Sequence, residues 1–77
     1  MPNATSPGKR ALLARELTAR RVDLGLTQTE VAARMGTSQS AVARLESGSL
    51  DVRMSTLERY AAAVGQAVSW RLEDRGR

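Results

Sequence analysis

"TQTEVAARMGTSQSAVARLESG", Thr27 to Gly48, contains two short apolar periodicities, Val31, Ala32 and Met35, then Val42 and Leu45. They would suit one continuous helix, but Gly36, Thr37 and Ser38 part them. Thr27 and Glu30 have the T-x-x-E spacing of a capping box, in which a hydroxyl and a carboxylate satisfy each other's orphan backbone amides. A helix therefore starts just after Thr27, and Gly36 stops it. Ser38 caps the next helix and Gly48 ends it. Both are too short to be stable alone, so packing must hold them at a fixed angle.

Toward the N-terminus, "MPNATS" is polar and aperiodic and reads as a frayed arm over residues 1–6. Ser6-Pro7 is a helix start, with serine capping and proline in the first helical position. The spacing predicts a helix from about Pro7 to Asp23, with Leu13, Leu17 and Leu24 on one stripe, Leu12 beside it, and Gly25 as a left-handed cap. Toward the C-terminus, Ser55 and Glu58 repeat the capping-box spacing. They predict a fourth helix with Leu57, Tyr60, Ala61 and Val64 inward and Gly65 at its end. The period then changes. In "QAVSWRLED" Val68, Trp70 and Leu72 alternate with Ala67, Ser69 and Arg71, as in a strand. A lone strand has an unpaired edge, which its symmetry mate in a dimer would cover. The competing reading is a short fifth helix that packs Trp70 on the bundle. The expectation is an all-α, compact bundle of four to five helices: four make the helix-turn-helix domain over residues 7–65, and the segment 66–77 is a dimerising strand or the short fifth helix, with a tail, whose Val68, Trp70 and Leu72 form the dimer contact.

A chain of 77 residues is one domain, and a domain of this size buries only about 60% of its unfolded surface, leaving little room for a large pocket. It has no cysteine and no histidine, which removes thiolate metal sites, disulfides, and the commonest general base. Glu30 and Glu58 read as caps rather than a catalytic carboxylate pair. We expect no enzyme, no cofactor, no metal and no small-molecule ligand. No apolar run approaches the roughly 20 residues of a membrane span, and no signal peptide is visible, so a soluble, cytoplasmic, nucleoid-associated protein is expected. The net charge is +4, which favours a polyanionic partner. Lys9, Arg10, Arg15, Arg20 and Arg21 against Glu16 and Asp23 leave +3 in the first 24 residues. The middle is neutral, with Arg34 and Arg44 against Glu30 and Glu46. Nucleic acid bound there would have to be recognised through shape and hydrogen bonds. Arg10, Arg15 and Arg20 read as a solvated face or as general electrostatics.

With Gln28 counted as position one, position five is Ala32, small enough for close helix approach, and position nine is Gly36, able to take a positive φ. Positions fifteen and eighteen are Val42 and Leu45, which anchor the second helix. This is a helix-turn-helix arrangement. The bent pair lets the first of its helices touch the phosphate backbone while the second enters the major groove of DNA. Glutamine can pair with adenine N6 and N7, and arginine with guanine O6 and N7. Gln39, Ala43, Arg44 and Ser47 share the side of the second helix opposite Val42 and Leu45. Arg53, in the following loop, is a candidate phosphate contact.

The residues from about Arg20 to Gly65, and above all "LGLTQ", "MGTSQSAV" and "LESG" at these spacings, resemble the lambda-repressor-like (Xre-type) helix-turn-helix family. The resemblance implies that Gln28 contacts a phosphate and supports Gln39, which reads a base, with Ser40 and Arg44 also base-facing. It implies that Thr27, Ser38, Ser47 and the amides around Gly48 hold phosphates, and that Arg21 pairs with Glu46 as a structural ion pair. The expected function is a homodimeric, sequence-specific regulator, a repressor on an inverted repeat of double-stranded DNA. "MSTLERYAAAVGQAVSWRLE" is also similar to the end of HigA-like antitoxins, which bind a toxin protein as well as their own promoter. A third reading, sequence-independent DNA compaction, sits badly with the neutral middle segment.

Overall fold

The computed structural model describes residues 7–48 and 52–68. Within them the chain forms four helices and no strand: α1 Pro7–Asp23, α2 Gln28–Met35, α3 Gln39–Glu46 and α4 Met54–Ala63. Gln66 to Val68 belong to no regular element, and Val68 packs half-buried on the core. The arm with its Ser6 cap, and the segment from Ser69 onward that holds Trp70 and Leu72, lie outside the described residues.

α1 keeps part of the predicted stripe. Leu17 is buried and Leu13 packs half-buried on the core, as expected, but Leu24 is 45% exposed, Leu12 beside the stripe is 47% exposed, and Ala14 is buried next to Leu17. The inward face runs Ala14, Leu17, Arg21, spaced i, i+3, i+7, so its last place is filled by an arginine. Leu24 lies beyond the helix end, in the turn that leads to Gly25.

α2 opens on the expected capping box: the Glu30 amide donates to Thr27 Oγ1 at 3.0 Å, and the Thr27 amide donates to Glu30 Oε1 at 2.8 Å. Val31, Ala32 and Met35 are buried. Gly36 then turns left-handed at φ 71°, and the Thr37 amide reaches back to the Ala32 carbonyl at 2.9 Å, closing the helix. A Cβ at Gly36 would meet nothing within 4 Å, so Gly36→Ala isolates the backbone term. It should cost about 1–2 kcal/mol, read as a lower urea midpoint with an unchanged slope. α3 follows at once, with Ser38 Oγ accepting from the Ala41 amide at 3.2 Å and Val42 and Leu45 buried.

α4 corrects the second predicted capping box. The helix opens at Met54, and its N-cap residue, Arg53, is extended and makes no side-chain capping bond, so the Ser55–Glu58 box is not formed. The apolar register explains the earlier start. Met54 lies one turn before Leu57 and packs against the core beside it, extending the stripe of Leu57, Tyr60, Ala61 and Val64, all of which are buried. At the other end Arg34 Nη1 donates to the Ala63 carbonyl at 2.9 Å, placing a cation from α2 on the negative end of α4. A single core of Ala14, Leu17, Val31, Ala32, Met35, Val42, Leu45, Leu57, Tyr60, Ala61 and Val64 joins the helices, and it supplies the stability that α2 and α3 lack in isolation.

Candidate nucleic-acid interface

The tight turn brings the first residues of α2 and α3 together. Gln39 Nε2 donates to Gln28 Oε1 at 2.6 Å, and Gln28 Nε2 donates to Glu46 Oε1 at 2.9 Å. Glu46, the last residue of α3, is in turn gripped from α1: Arg21 Nε lies 2.6 Å from Glu46 Oε2 and Nη2 lies 3.0 Å from Oε1. Arg21 Nη1 also donates to the Leu26 carbonyl at 2.8 Å. From α4, the fully buried Tyr60 hydroxyl donates to Glu46 Oε2. A continuous chain of hydrogen bonds therefore runs from the core, through a carboxylate whose side chain is only 7% exposed, to the exposed Gln39.

The charges on this chain are well defined. Burial alone would raise the Glu46 carboxyl, but donors from Arg21, Tyr60 and Gln28, with the Arg21 charge, hold it below the usual carboxylate range. Its hydrogen bond to Glu46 raises the Arg21 guanidinium despite the opposing effect of burial. Burial, then the bond to Glu46, pushes the Tyr60 phenol up to about 12. At neutral pH the group is Arg21⁺, Glu46⁻ and a protonated tyrosine.

These shifts fix the sign of the pH dependence. The depressed Glu46 contributes stability that is present above the ordinary carboxylate range and lost as pH falls through it. The raised Tyr60 contributes stability that is present in full below its ordinary value of 10.0 and lost as pH climbs from there through about 12. Urea midpoints measured against pH should therefore fall at both extremes, and Tyr60→Phe should flatten the alkaline fall while only reducing the acid one, because Arg21 and Gln28 still hold the Glu46 carboxyl down.

Around this chain the remaining predicted residues take distinct positions. Gln39, Ser40 and Arg44 are exposed on α3, on the side away from Val42 and Leu45. Thr27 and Ser38 use oxygen lone pairs to cap α2 and α3, so each hydroxyl keeps its proton for another acceptor; Ser38 Oγ also lies 3.2 Å from Ser40 Oγ. Ser47 differs, because its hydroxyl donates to the Arg44 carbonyl at 2.7 Å and so turns its proton back onto its own helix. Gly48 takes a φ of 84°, and Arg53 is exposed at the start of α4. The Tyr60 hydroxyl and the Gln28–Glu46 link were not foreseen. A tyrosine within an apolar stripe was an available signal, since a buried phenol needs a polar partner.

Two short helices locked at a tight turn, with a polar face on the second, make a helix-turn-helix. A family model described as helix-turn-helix matches residues 17–70, which include α2, α3 and α4 whole and the second part of α1. The chain belongs to this family, the lambda-repressor-like (Xre-type) helix-turn-helix proteins, and is a DNA-binding transcription regulator. Among the described residues no helix is long and apolar enough to cross a membrane.

Proposed function

We propose that the protein is a repressor that binds an inverted repeat as a homodimer, with α3 in the major groove and α2 across the backbone. One observation carries this reading: Gln39, Ser40 and Arg44 stand exposed on one side of a helix whose other side is buried, with Gln39 held outward by Gln28. Gln39 and Arg44 have the donor and acceptor groups that pair with adenine and guanine edges, and Ser40 adds a hydroxyl beside them. Thr27, Gln28, Ser38, Gly48 and Arg53 hold phosphates. Ser47 does so by rotating its hydroxyl from the Arg44 carbonyl to the phosphate, its amide being held by the Ala43 carbonyl. Val68, Trp70 and Leu72 form the seam between the two copies, which would place the recognition helices about 34–36 Å apart, one turn of DNA.

Capture of fragments of its own genome, followed by footprinting, tests this. The expected result is a shared inverted repeat overlapping a promoter, with two protected patches on one face of the duplex about one turn apart. Captured fragments with no common repeat would overturn it.

The similarity of "MSTLERYAAAVGQAVSWRLE" to antitoxin ends supports a second reading, in which the protein also binds a toxin. Val22, 59% exposed on α1, together with Leu12 and Leu24, offers apolar surface for such a partner. Co-purification of a small ribonuclease that inhibits growth when expressed alone would support this reading, and a chain that purifies without one would count against it.

A further inference from the structure

We propose that the Glu46 carboxylate sets the donor–acceptor polarity of the Gln28–Gln39 amide pair and so makes adenine, rather than guanine, the base that Gln39 selects. This rests on the reading of Gln39 as a base-contacting residue. Glu46 is then a positioning residue for specificity, in addition to its place in the ion pair with Arg21.

The reasoning is one of hydrogen-bond polarity. An ionised carboxylate can only accept, whereas a carboxamide has a donor end and an acceptor end. Facing Glu46 Oε1, Gln28 must present its NH₂ group, which turns its oxygen toward α3. Gln39 must answer that oxygen with its own NH₂ group. What remains outward on Gln39 is one N–H and one carbonyl oxygen. Adenine shows an acceptor, N7, beside a donor, the N6 amine, in the major groove, and this pair matches the outward set. Guanine shows two acceptors, N7 and O6, for which the outward face of Gln39 has a single hydrogen left. Were the chain reversed, Gln39 would offer two N–H groups and guanine would fit. Nothing in either glutamine alone chooses between the two polarities. The carboxylate chooses, and donors from Arg21, Tyr60 and Gln28 keep it in the accepting, ionised form.

The test is equilibrium binding to the selected duplex and to versions with adenine changed to guanine at the Gln39 position. The proteins are the wild type, Gln39→Ala, Glu46→Gln, Gln28→Ala and Tyr60→Phe, each checked for helical content at the temperature used. Wild type should favour adenine by roughly tenfold or more, and Gln39→Ala should abolish the preference. Glu46→Gln can present either end to Gln28, and Gln28→Ala cuts the link altogether. Each should lower the adenine-to-guanine ratio at least about fivefold while leaving discrimination at the Arg44 position intact. Tyr60→Phe leaves the charge in place and should keep the adenine preference, which separates polarity from a general loosening of the core. If Glu46→Gln fails to fold, Gln28→Ala carries the test. A ratio unchanged in both variants, or a wild-type preference for guanine, would overturn the proposal while leaving Gln39 a base reader. A wild type whose preference at that position does not depend on Gln39 would overturn the underlying reading as well.

Discussion

Glu46→Ala should lower the stability of the folded protein by about 3 kcal/mol, the lower end of the cost of breaking a buried ion pair by removing one partner. The substitution strands three donors at once: the Arg21 guanidinium, the Tyr60 hydroxyl and the Gln28 amide. Arg21 retains its bond to the Leu26 carbonyl and, at 14% side-chain exposure, can still reach water, which argues for the lower end. The phenol has no such escape, since Tyr60 is fully buried. For a domain of this size about 3 kcal/mol corresponds to a fall in Tm of roughly 12–24 °C, a large share of the total stability. Thermal unfolding followed by circular dichroism reads it directly. An unchanged Tm would mean that the ion pair holds neither α1 nor α4 to the end of α3.

The second large effect concerns DNA. Gln39→Ala combined with Arg44→Ala should reduce affinity for the protein's own site by about a thousandfold or more, toward the level of random sequence. Each side chain can contribute about 1–3 kcal/mol of base discrimination, and a dimer uses each twice. Neither anchors the fold, because both lie on the exposed side of α3, so thermal stability should change little. The residual binding should remain steeply salt-dependent, since it rests on phosphate contacts and counterion release. Titration of fluorescent duplexes at two salt concentrations separates the two contributions.

How much of this was legible in the residues depended on how local each interaction is. The Thr27–Glu30 box could be read because both partners lie within one turn and the apolar stripe of Val31, Ala32 and Met35 begins immediately after. Ser55 and Glu58 have similar spacing, yet the stripe there reaches back to Met54, and packing on the core set the start of α4. The same rule therefore succeeded where side-chain pattern and cap agreed and failed where packing opposed the cap. On α1, hydrophobicity favoured Leu24 for an inward place that Arg21 occupies, because a carboxylate 25 residues later compensates its charge. The Arg34 bond to the Ala63 carbonyl spans 29 residues and leaves no trace in any helical period. The Tyr60 hydroxyl is similar. Its ring belongs to the predicted apolar stripe, but its partner is known only once α3 and α4 are packed. Family resemblance named Arg21 with Glu46 and Gln28 with Gln39 as separate pairs. The fold joins them through Glu46 into one chain.

The most direct measurement is selection of bound fragments from random duplex DNA at near-physiological salt, by the wild type and by the Gln39→Ala, Arg44→Ala double variant in parallel. Direct base readout by α3 predicts an inverted repeat enriched by the wild type, weakened or altered in the variant at the positions those two side chains reach. The same repeat enriched equally by both proteins would contradict it, because specificity would then reside outside the exposed face of α3.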